Sequence, residues 1–153
     1  TPNQKTTMTF DKVDFVPLQI AFVSSEEPEE GDAVHLVDGD ESTIWHTMYS
    51  ITLAKFPHWI DFDASEPKTI KGFKLLPRQD TSYGRIKNYE IYVSNDGKTW
   101  GSPIMKGNFD SSGELKKVMF DKPVKARYVR FRALNAHYGV DYASAAEFSL
   151  IAE

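Results

Sequence analysis

The densest group of residues suited to metal chemistry is the acidic segment that begins at Asp38 and includes Gly39, Asp40 and Glu41. Carboxylates that flank a glycine turn place several hard oxygens on one side of a loop, which suits Ca²⁺ with its about six to eight oxygen ligands. The spacing departs from an EF-hand, because no bidentate glutamate stands at the last position of such a loop. An ordinary Asp-Gly turn closed by an Asx hydrogen bond explains the same residues, so both interpretations stay open on spacing alone.

A second group, Trp45, His46 and Tyr49, places an imidazole and a phenol near one another in the sequence. Sugar binding requires an aromatic face beside polar groups, because sugar CH groups stack on a ring while the hydroxyls need fixed donors and acceptors. A packing role for the imidazole is the alternative. No HxH or HExxH spacing occurs, so a zinc site is unsupported at the other histidines, which are His35, His58 and His137.

Acidic pairs raise the competing hypothesis of a glycosidase, which needs two carboxylates at a set distance across a cleft. The most acidic cluster is interrupted by Pro28 and is typical of a solvated loop; its members are Glu26, Glu27, Glu29 and Glu30. The sequence contains no GxSxG, P-loop or GxGxxG motif and no cysteine. Because nothing nominates a nucleophile, we expect a module without catalytic activity.

Composition limits the size of the fold and the class of partner. The chain has 153 residues, of which 41% are hydrophobic, enough for one domain with a packed core. Its net charge of -4 provides no cationic field for a phosphate backbone, so we expect no nucleic-acid partner. Apolar runs such as Leu18 to Val23 are far shorter than the ~20 residues that span a bilayer. The chain starts at Thr1 without a leader pattern, and we interpret it as a piece of a longer protein.

Short stretches of alternating polarity recur along the chain between turn signals, as in an antiparallel sandwich or barrel. One stretch enters Asn95-Asp96-Gly97, a strong hairpin signal because these residues tolerate positive φ. Only Ala33 to Val37 is briefly helical, so we predict an all-β fold. The predicted strands are Leu18 to Val23, Trp59 to Asp63, Ile70 to Leu76, Tyr89 to Val93, Leu115 to Phe120, Tyr128 to Leu134 and Phe148 to Ile151.

The same patterns predict how the chain is divided. Residues 1–17 have mixed polarity and two prolines, and we interpret them as a lead-in or linker segment before one domain at 18–153. Large aromatic side chains inside strand motifs are usually part of a core. We therefore expect structural roles for Trp45, Trp59, Trp100 and also Arg85.

A series of short motifs follows along the chain: Val37-Asp38-Gly39-Asp40, Ser42-Thr43-Ile44-Trp45-His46-Thr47, Pro57-His58-Trp59-Ile60-Asp61-Phe62, Leu76-Pro77-Arg78-Gln79, Gly84-Arg85-Ile86-Lys87-Asn88-Tyr89, Arg127-Tyr128-Val129-Arg130-Phe131 and Ala143-Ser144-Ala145-Ala146-Glu147. Their order resembles the discoidin family, also called the coagulation factor 5/8 type C domain. Within it, the sequence is similar to the bacterial family 32 carbohydrate-binding modules. The resemblance runs from about Leu18 to Ile151 and implies a β-sandwich with jelly-roll topology.

The resemblance also implies a structural calcium ion where the start and the end of the domain meet. Carried over by motif, its side-chain ligands would be Asp38, Asp40, Thr43 and Glu147, with backbone carbonyls from Thr43, Ala146 and Leu36. Because Glu147 lies far along the chain from the others, the ion would join the two ends of the sandwich. We expect it to stabilise loops without touching the ligand.

A shallow site for galactose-type sugars at the loop end is the third implication. The Trp-His-Thr motif assigns a histidine and its near aromatic, the Pro-Arg-Gln motif assigns an arginine, and an acidic residue precedes the histidine. A stacking aromatic directly precedes the Ala-Ser-Ala-Ala-Glu motif. The implied sugar-binding residues are Glu29 (with Glu30 as a possible substitute), His46, Tyr49, Arg78 and Tyr142. Tyrosine stands where many relatives carry tryptophan, so galactose, N-acetylgalactosamine and N-acetylglucosamine all stay open.

Together these features predict a non-catalytic module that binds terminal galactose or N-acetylhexosamine sugars. It would target an attached glycoside hydrolase, such as a chitobiase or hexosaminidase-like enzyme, to glycans. We expect a secreted, periplasmic or bacterial cell-surface protein whose isolated domain is monomeric. We expect no membrane partner, because the acidic chain shows no apolar loop spike. The alternative function is a protein- or cell-surface-adhesion discoidin domain without sugar specificity.

Overall fold

The computed structural model describes residues 17–49 and 55–152 of the chain. Within these ranges the chain forms strands β1 Gln19–Val23, β2 Trp45–His46, β3 His58–Leu76, β4 Asn88–Ser94, β5 Met105–Asn108, β6 Lys116–Ala133, β7 Ser144–Ala145 and β8 Glu147–Ala152. Short 3-10 turns cover Ala33–Val37 and His137–Gly139. The all-β prediction is confirmed, and no helix in the described ranges is long and apolar enough to cross a membrane. The predicted lead-in lies outside the described residues except for Pro17.

Two long strands organise the sheet, because β3 and β6 each contribute to two regions of pairing. The first half of β3 pairs with the last part of β6, where His58 lies opposite Ala133 and Asp63 opposite Tyr128. This half is flanked by β1 on one side and by β4 and β5 beyond β6. The second half of β3 pairs with the beginning of β6 and, on its other edge, with β8. All of these pairings are antiparallel.

The two halves face each other across an aromatic core, which makes the fold a sandwich. Phe62 in the first half of β3 stacks on Phe148 of β8, with ring centroids 4.2 Å apart. Phe73 in the second half of β3 contacts Phe131 near the end of β6, with centroids 5.9 Å apart. These rings alternate along their strands with polar residues on the outer face, as expected for a sheet with one buried face. The core therefore supports a rigid scaffold for the loops at its ends.

The strands differ from prediction in three respects. The predicted strands at 59–63 and 70–76 are parts of the single strand β3, and those at 115–120 and 128–134 are parts of β6. Strands β2 and β7 have two residues each, too short for an alternating pattern. Strand β5 was missed because it contains Gly107, a residue that strands disfavour. A Cβ at Gly107 would lie 2.5 Å from the hydroxyl of Tyr89, so the glycine permits close packing.

A small two-stranded sheet joins the early and late loops of the chain. Trp45 of β2 lies opposite Ala145 of β7, and His46 lies opposite Ser144. Ser144 also donates its backbone N–H to the carbonyl of Gly84 at 2.9 Å. Three loops that are distant in sequence are thus fastened side by side at one end of the sandwich.

Candidate functional site

The fastened loops enclose an open cleft of about 420 Å³. Four of the predicted sugar-binding residues line it, namely His46, Tyr49, Arg78 and Tyr142. The remaining lining residues are Glu30, Thr47, Thr81 and Tyr83. We call this set of eight residues the cleft.

His46 is held at the base of the cleft by its own strand and by a glycine. Its backbone N–H donates to the carbonyl of Gly31 at 3.2 Å, and its carbonyl accepts from Glu27 at 2.9 Å. A Cβ at Gly31 would lie 2.7 Å from Cδ2 of the imidazole, so any larger residue there would displace His46. Nδ1 donates to the carbonyl of Thr47 at 3.1 Å, which leaves Nε2 of the neutral ring as an acceptor.

The acidic side chain in the cleft belongs to Glu30 rather than to Glu29. Glu29 has a left-handed backbone with φ of 67° and donates its N–H to Oδ1 of Asp32 at 3.1 Å. This turn brings Glu30 to the cleft, where Oε1 lies 3.6 Å from Nε2 of His46. Glu30 therefore occupies the acidic position predicted for Glu29, because the turn decides which of two adjacent carboxylates lines the cleft.

Tyr49 orients the carboxylate of Glu30. Its hydroxyl donates to both carboxylate oxygens, at 3.0 and 3.1 Å, and its ring lies 5.4 Å from the ring of His46. The hydrogen bond to Glu30 raises the pKa of Tyr49, so the phenol stays a donor above its ordinary range. The carboxylate keeps its remaining lone pairs for other donors, since its side chain is 61% exposed.

Arg78 provides the positive charge of the cleft. Its Nε and Nη2 donate to the two carboxylate oxygens of Asp80, at 2.5 and 3.0 Å. This hydrogen bonding lowers the pKa of Asp80. Asp80 therefore stays ionised, and the ion pair intact, at pH values below the usual pKa of a carboxyl group. Arg85 donates Nε and Nη2 to the backbone carbonyl of Arg78, at 3.0 and 2.9 Å, and Nη1 to Ser111 at 2.9 Å. Arg85 thus has the structural role expected of it, and it fixes the backbone that carries Arg78.

Tyr142 lies against the loop that precedes Arg85. A Cβ at Gly84 would lie 3.0 Å from Cδ2 of the Tyr142 ring, and Gly84 has φ of 87°. Both the conformation and the close approach require glycine at this position. The Gly84 turn therefore places the aromatic ring beside the arginine loop, in the cleft.

Sequence reasoning missed three lining residues: Thr47, Thr81 and Tyr83. Thr47 is fully buried and binds the late loop twice, through its N–H to Ala143 at 3.1 Å and through its hydroxyl, which accepts from Ala143 at 3.2 Å. Nothing in the sequence around Thr47, which directly follows Trp45 and His46, indicates that this threonine lines a cleft. At Tyr83 the only sequence signal is a bulky aromatic residue in a polar loop next to Gly84.

A separate group, which we call the carboxylate cluster, consists of Asp38, Asp40, Thr43 and Glu147. Oε1 of Glu147 accepts from the N–H of Gly39 at 3.1 Å, across 108 residues of sequence. The hydroxyl of Thr43 donates to Oδ2 of Asp38 at 2.5 Å. Glu147 is 3% exposed, and burial together with the neighbouring Asp38 raises its pKa to about 10. The structure therefore joins the start and end of the domain at these side chains.

The cluster fits a cation in some respects and not in others. Oε2 of Glu147 is buried without a hydrogen-bond partner among the described residues, as is Oε2 of Glu41. Such a buried oxygen beside a second carboxylate suits a hard cation. Asp40, by contrast, is engaged in its own turn, where Oδ1 accepts from the N–H and the hydroxyl of Ser42 at 2.8 and 2.6 Å.

The remaining predicted calcium ligands are backbone carbonyls of buried residues, Leu36 in the first 3-10 turn and Ala146 beside Glu147. The side chains alone do not form a preassembled site. Across residues 17–49 and 55–152, no three or more histidine or acidic side chains are arranged to hold a metal ion.

A model of the F5/8 type C domain family matches residues 19–148. The chain is an F5/8 type C domain. Over 148 residues this domain is 37% identical to a sialidase from Micromonospora viridifaciens, and the match covers 94% of the chain and 23% of the sialidase. The domain thus spans about a quarter of the length of that curated relative.

Solved structures support the same assignment. The Clostridium perfringens module CpGH89CBM32-5, in complex with GalNAc-β-1,3-galactose, superimposes with a TM-score of 0.82 and 36% identity, covering 90% of this domain and 99% of the module. The family 32 module of C. perfringens NanJ, in complex with galactose, has a TM-score of 0.79 at 24% identity, covering 90% and 97%, a likeness of fold. The predicted family and the β-sandwich are confirmed. Domains of this kind include carbohydrate-binding modules such as CpGH89CBM32-5.

Proposed function

We propose that this F5/8 type C domain binds a terminal galactose or N-acetylhexosamine residue in the cleft. The observation that carries the proposal is the convergence of an imidazole, a guanidinium, a carboxylate and tyrosine rings on one open cleft of about 420 Å³. A space of that size accommodates one or two sugar rings. The likeness to a module in complex with GalNAc-β-1,3-galactose supports this class of ligand.

The polar groups of the cleft provide both hydrogen-bond donors and hydrogen-bond acceptors for sugar hydroxyls. Nη1 of Arg78 is left to donate to a sugar hydroxyl, since Nε and Nη2 are engaged with Asp80. Nε2 of His46 and the exposed oxygens of Glu30 accept hydroxyl protons. A hydroxyl that both donates and accepts therefore finds a partner of each kind.

The tyrosines supply the apolar half of the site. An axial hydroxyl leaves one face of a galactose-type ring continuously apolar, and this face suits stacking on one flat aromatic ring. Tyr142 and Tyr49 both line the cleft, and Tyr49 is half exposed. Stacking on one ring while the opposite polar edge contacts Arg78 and His46 gives a preference for galactose-type over glucose-type sugars.

In the whole protein, the domain would hold an attached glycoside hydrolase on glycans at the cell surface or outside the cell. Relatives that contain a similar domain are named as a sialidase and as a lacto-N-biosidase from Bifidobacterium bifidum, the latter 30% identical over 85% of this chain. Binding of the module raises the local concentration of substrate around a linked enzyme without any chemistry in the module itself.

Calorimetric titration of the domain with galactose, N-acetylgalactosamine and N-acetylglucosamine tests the proposal. We expect dissociation constants on the order of 0.1 to 1 mM for the preferred sugar, because a shallow site makes few contacts. The variant His46→Ala should lose at least about tenfold in affinity, since a buried polar partner is removed. Sugar binding that survives both His46→Ala and Arg78→Ala would contradict the cleft as the site. Failure of the wild-type domain to bind any of the sugars would favour an adhesion domain, and hydrolysis of an aryl glycoside by the pure domain would favour an enzyme.

We also propose that calcium binds at the carboxylate cluster and stabilises the domain. Glu147, Asp38 and Thr43 would hold the ion with backbone carbonyls of Leu36, Thr43 and Ala146, and Asp40 would join by leaving its turn. The support is the buried oxygen of Glu147 without a partner in the described part of the chain. Burial, together with the neighbouring Asp38, raises the pKa of Glu147 to about 10, and a divalent ion would offset both by neutralising the two carboxylates.

Thermal unfolding with and without a chelator tests the calcium proposal. Ca²⁺ at a concentration 100 times its dissociation constant should stabilise the calcium-free domain by about 2.7 kcal/mol and raise its Tm by several degrees. The matched variants are Glu147→Gln, which should lose the calcium response, and Glu114→Gln in an exposed loop, which should keep it. An unchanged Tm in the wild-type domain would contradict the proposal.

A further inference from the structure

We propose that Tyr83 and Tyr138 form a second subsite beside the cleft, which binds the next sugar ring of a glycan. The inference rests on the proposed function, because it extends the terminal-sugar site outward. The two rings contact each other edge to face, with centroids 5.5 Å apart. Tyr83 lines the cleft, whereas Tyr138 lies beyond its lining. We call these two residues the tyrosine pair.

Exposure distinguishes the tyrosine pair from the other tyrosines. The chain has seven tyrosines, and all three that are exposed, Tyr49, Tyr83 and Tyr138, lie at the cleft or next to it. Tyr83 is 53% and Tyr138 60% exposed, although the two rings contact each other. Large apolar surfaces left in water next to a binding cleft are typical of ligand contacts.

Backbone hydrogen bonds hold the two loops of the pair side by side. Lys87 donates its N–H to the carbonyl of Asn135 at 3.0 Å, and His137 donates its N–H to the carbonyl of Arg85 at 3.0 Å. Tyr83 and Tyr142 both line the cleft, and Tyr138 contacts Tyr83. Aromatic surface therefore extends from the cleft outward to Tyr138.

The backbone at Tyr138 is held in a conformation that its side chain disfavours. Its φ is 67°, in the left-handed region that bulky residues disfavour. The preceding His137 is anchored through Nε2, which donates to the carbonyl of Phe109 at 2.9 Å. An anchored turn that imposes this conformation on an exposed tyrosine fixes the ring where it can serve as a stacking surface.

The chemistry of the pair suits a second sugar ring rather than a charged group. Neither tyrosine hydroxyl forms an ion pair within the described ranges, and the two ring planes are inclined at 60°, so the pair offers both an edge and a face. A sugar linked to the terminal residue would lie over the pair with its CH groups against a ring face and its hydroxyls in water. The preferred ligand is therefore a disaccharide or longer glycan, bound at its non-reducing end in the cleft.

Paired titrations of monosaccharides and disaccharides test the inference. Each sugar is compared with a disaccharide that ends in it: galactose with lactose, N-acetylgalactosamine with GalNAc-β-1,3-galactose, and N-acetylglucosamine with N,N′-diacetylchitobiose. For at least one pair we expect the wild-type domain to bind the disaccharide about three- to tenfold more tightly, the gain that one stacked ring provides. In Tyr138→Asn the advantage should fall below about twofold, with the monosaccharide affinity unchanged.

Asparagine is chosen because it tolerates the left-handed conformation and removes only the ring. Tyr138→Phe should keep the disaccharide advantage, and Phe22→Ala, which removes an exposed ring elsewhere, should also keep it. Equal affinities for mono- and disaccharide in every pair would overturn the second subsite and leave the proposed function intact. An advantage that persists in Tyr138→Asn would do the same, whereas failure of every sugar to bind would overturn both proposals.

Discussion

Two regions of the described surface combine arginine with aromatic rings. One is the cleft, and the other is a patch on the outer face of the sheet that we call the Trp-Arg patch, lined by Trp59, Tyr92, Trp100, Gly101, Arg130 and Arg132. Their volumes are similar, about 420 and 390 Å³. In each region an arginine pairs through Nε and Nη2 with an aspartate, and a tyrosine hydroxyl donates to a glutamate.

The regions differ in what those groups leave for a ligand. In the Trp-Arg patch the guanidinium of Arg130 lies over both Trp100 and Trp59, at 4.3 and 5.5 Å, so the rings stack on the arginine. The carboxylate of Glu90 is only 11% exposed beneath its partners, compared with 61% for Glu30 in the cleft. No cation-π contact to Arg78 is found within the described ranges.

Residue types alone therefore do not define a sugar site. The same tyrosine, arginine and glutamate stabilise a sheet face where they are buried against each other, and they are available to a ligand where loops leave them partly solvated. We infer that the Trp-Arg patch contributes to folding and the cleft to binding. Matched substitutions in the two regions separate these roles.

The largest effects should come from the two arginines. Arg130→Ala leaves the buried carboxylate of Asp61 without its partner, and we expect the free energy of unfolding to fall by about 3 kcal/mol. Arg78→Ala removes a charged donor from the cleft, and we expect sugar affinity to fall roughly 10- to 100-fold. Urea unfolding and calorimetry of both variants measure these quantities.

Each arginine substitution should change only one of the two quantities, sugar affinity or the free energy of unfolding. Arg130→Ala should bind sugar as the wild type does, and Arg78→Ala should unfold within about 0.5 kcal/mol of it, because Asp80 is exposed and solvated. A loss of sugar binding in folded Arg130→Ala would break the comparison.

A smaller effect is expected from two glycines. In Gly31→Ala the new methyl group meets both the imidazole and the backbone nitrogen of His46. The residue must therefore shift, and we expect about a fivefold loss of affinity. Gly101→Ala is the control in the Trp-Arg patch, where a Cβ has no neighbour within 4 Å and only the positive φ of 64° opposes it. Its affinity for sugar should be unchanged, with a modest loss of stability of about 1 kcal/mol. Equal affinities in the two variants would mean that the position of His46 does not matter.

The smallest effect concerns two tyrosine hydroxyls. Tyr49→Phe keeps the ring but releases Glu30, and we expect affinity to fall about two- to fivefold because the acceptor is no longer oriented. Tyr92→Phe removes the equivalent hydrogen bond to Glu90 in the Trp-Arg patch and should not affect binding. Calorimetric titrations of both variants check this pair, and an equal change in the two would contradict the proposed role of Tyr49.

Sequence patterns predicted the strands well where alternation was strong and long. The segment from Tyr89 to Val93 and the turn at Gly97, with φ of 75°, lie where the pattern placed them. The sequence could not predict that two of the expected strands join to form β3. The polar segment around Ser65, where φ is 73°, has the composition of a loop. Whether such a segment breaks a strand depends on tertiary pairing with β6, which no local pattern encodes.

The candidate site was predictable only where short motifs carried it. His46 and Arg78 stand inside motifs and both line the cleft. The choice between Glu29 and Glu30 depended on the left-handed turn at Glu29, which sequence does not mark because that residue is not glycine. The tyrosine pair joins loops more than fifty residues apart, and only the backbone hydrogen bonds between them bring the rings together.

Amide chemical-shift mapping tests most directly whether sugar binds in the cleft. The ¹⁵N-labelled domain would be titrated with the sugar that calorimetry shows to bind most tightly. We predict the largest shifts at His46, Thr47, Arg78, Tyr83 and Tyr142, with none above the noise at Trp59, Trp100 and Arg130. The opposite distribution, with shifts centred on the Trp-Arg patch and a silent cleft, would contradict the account.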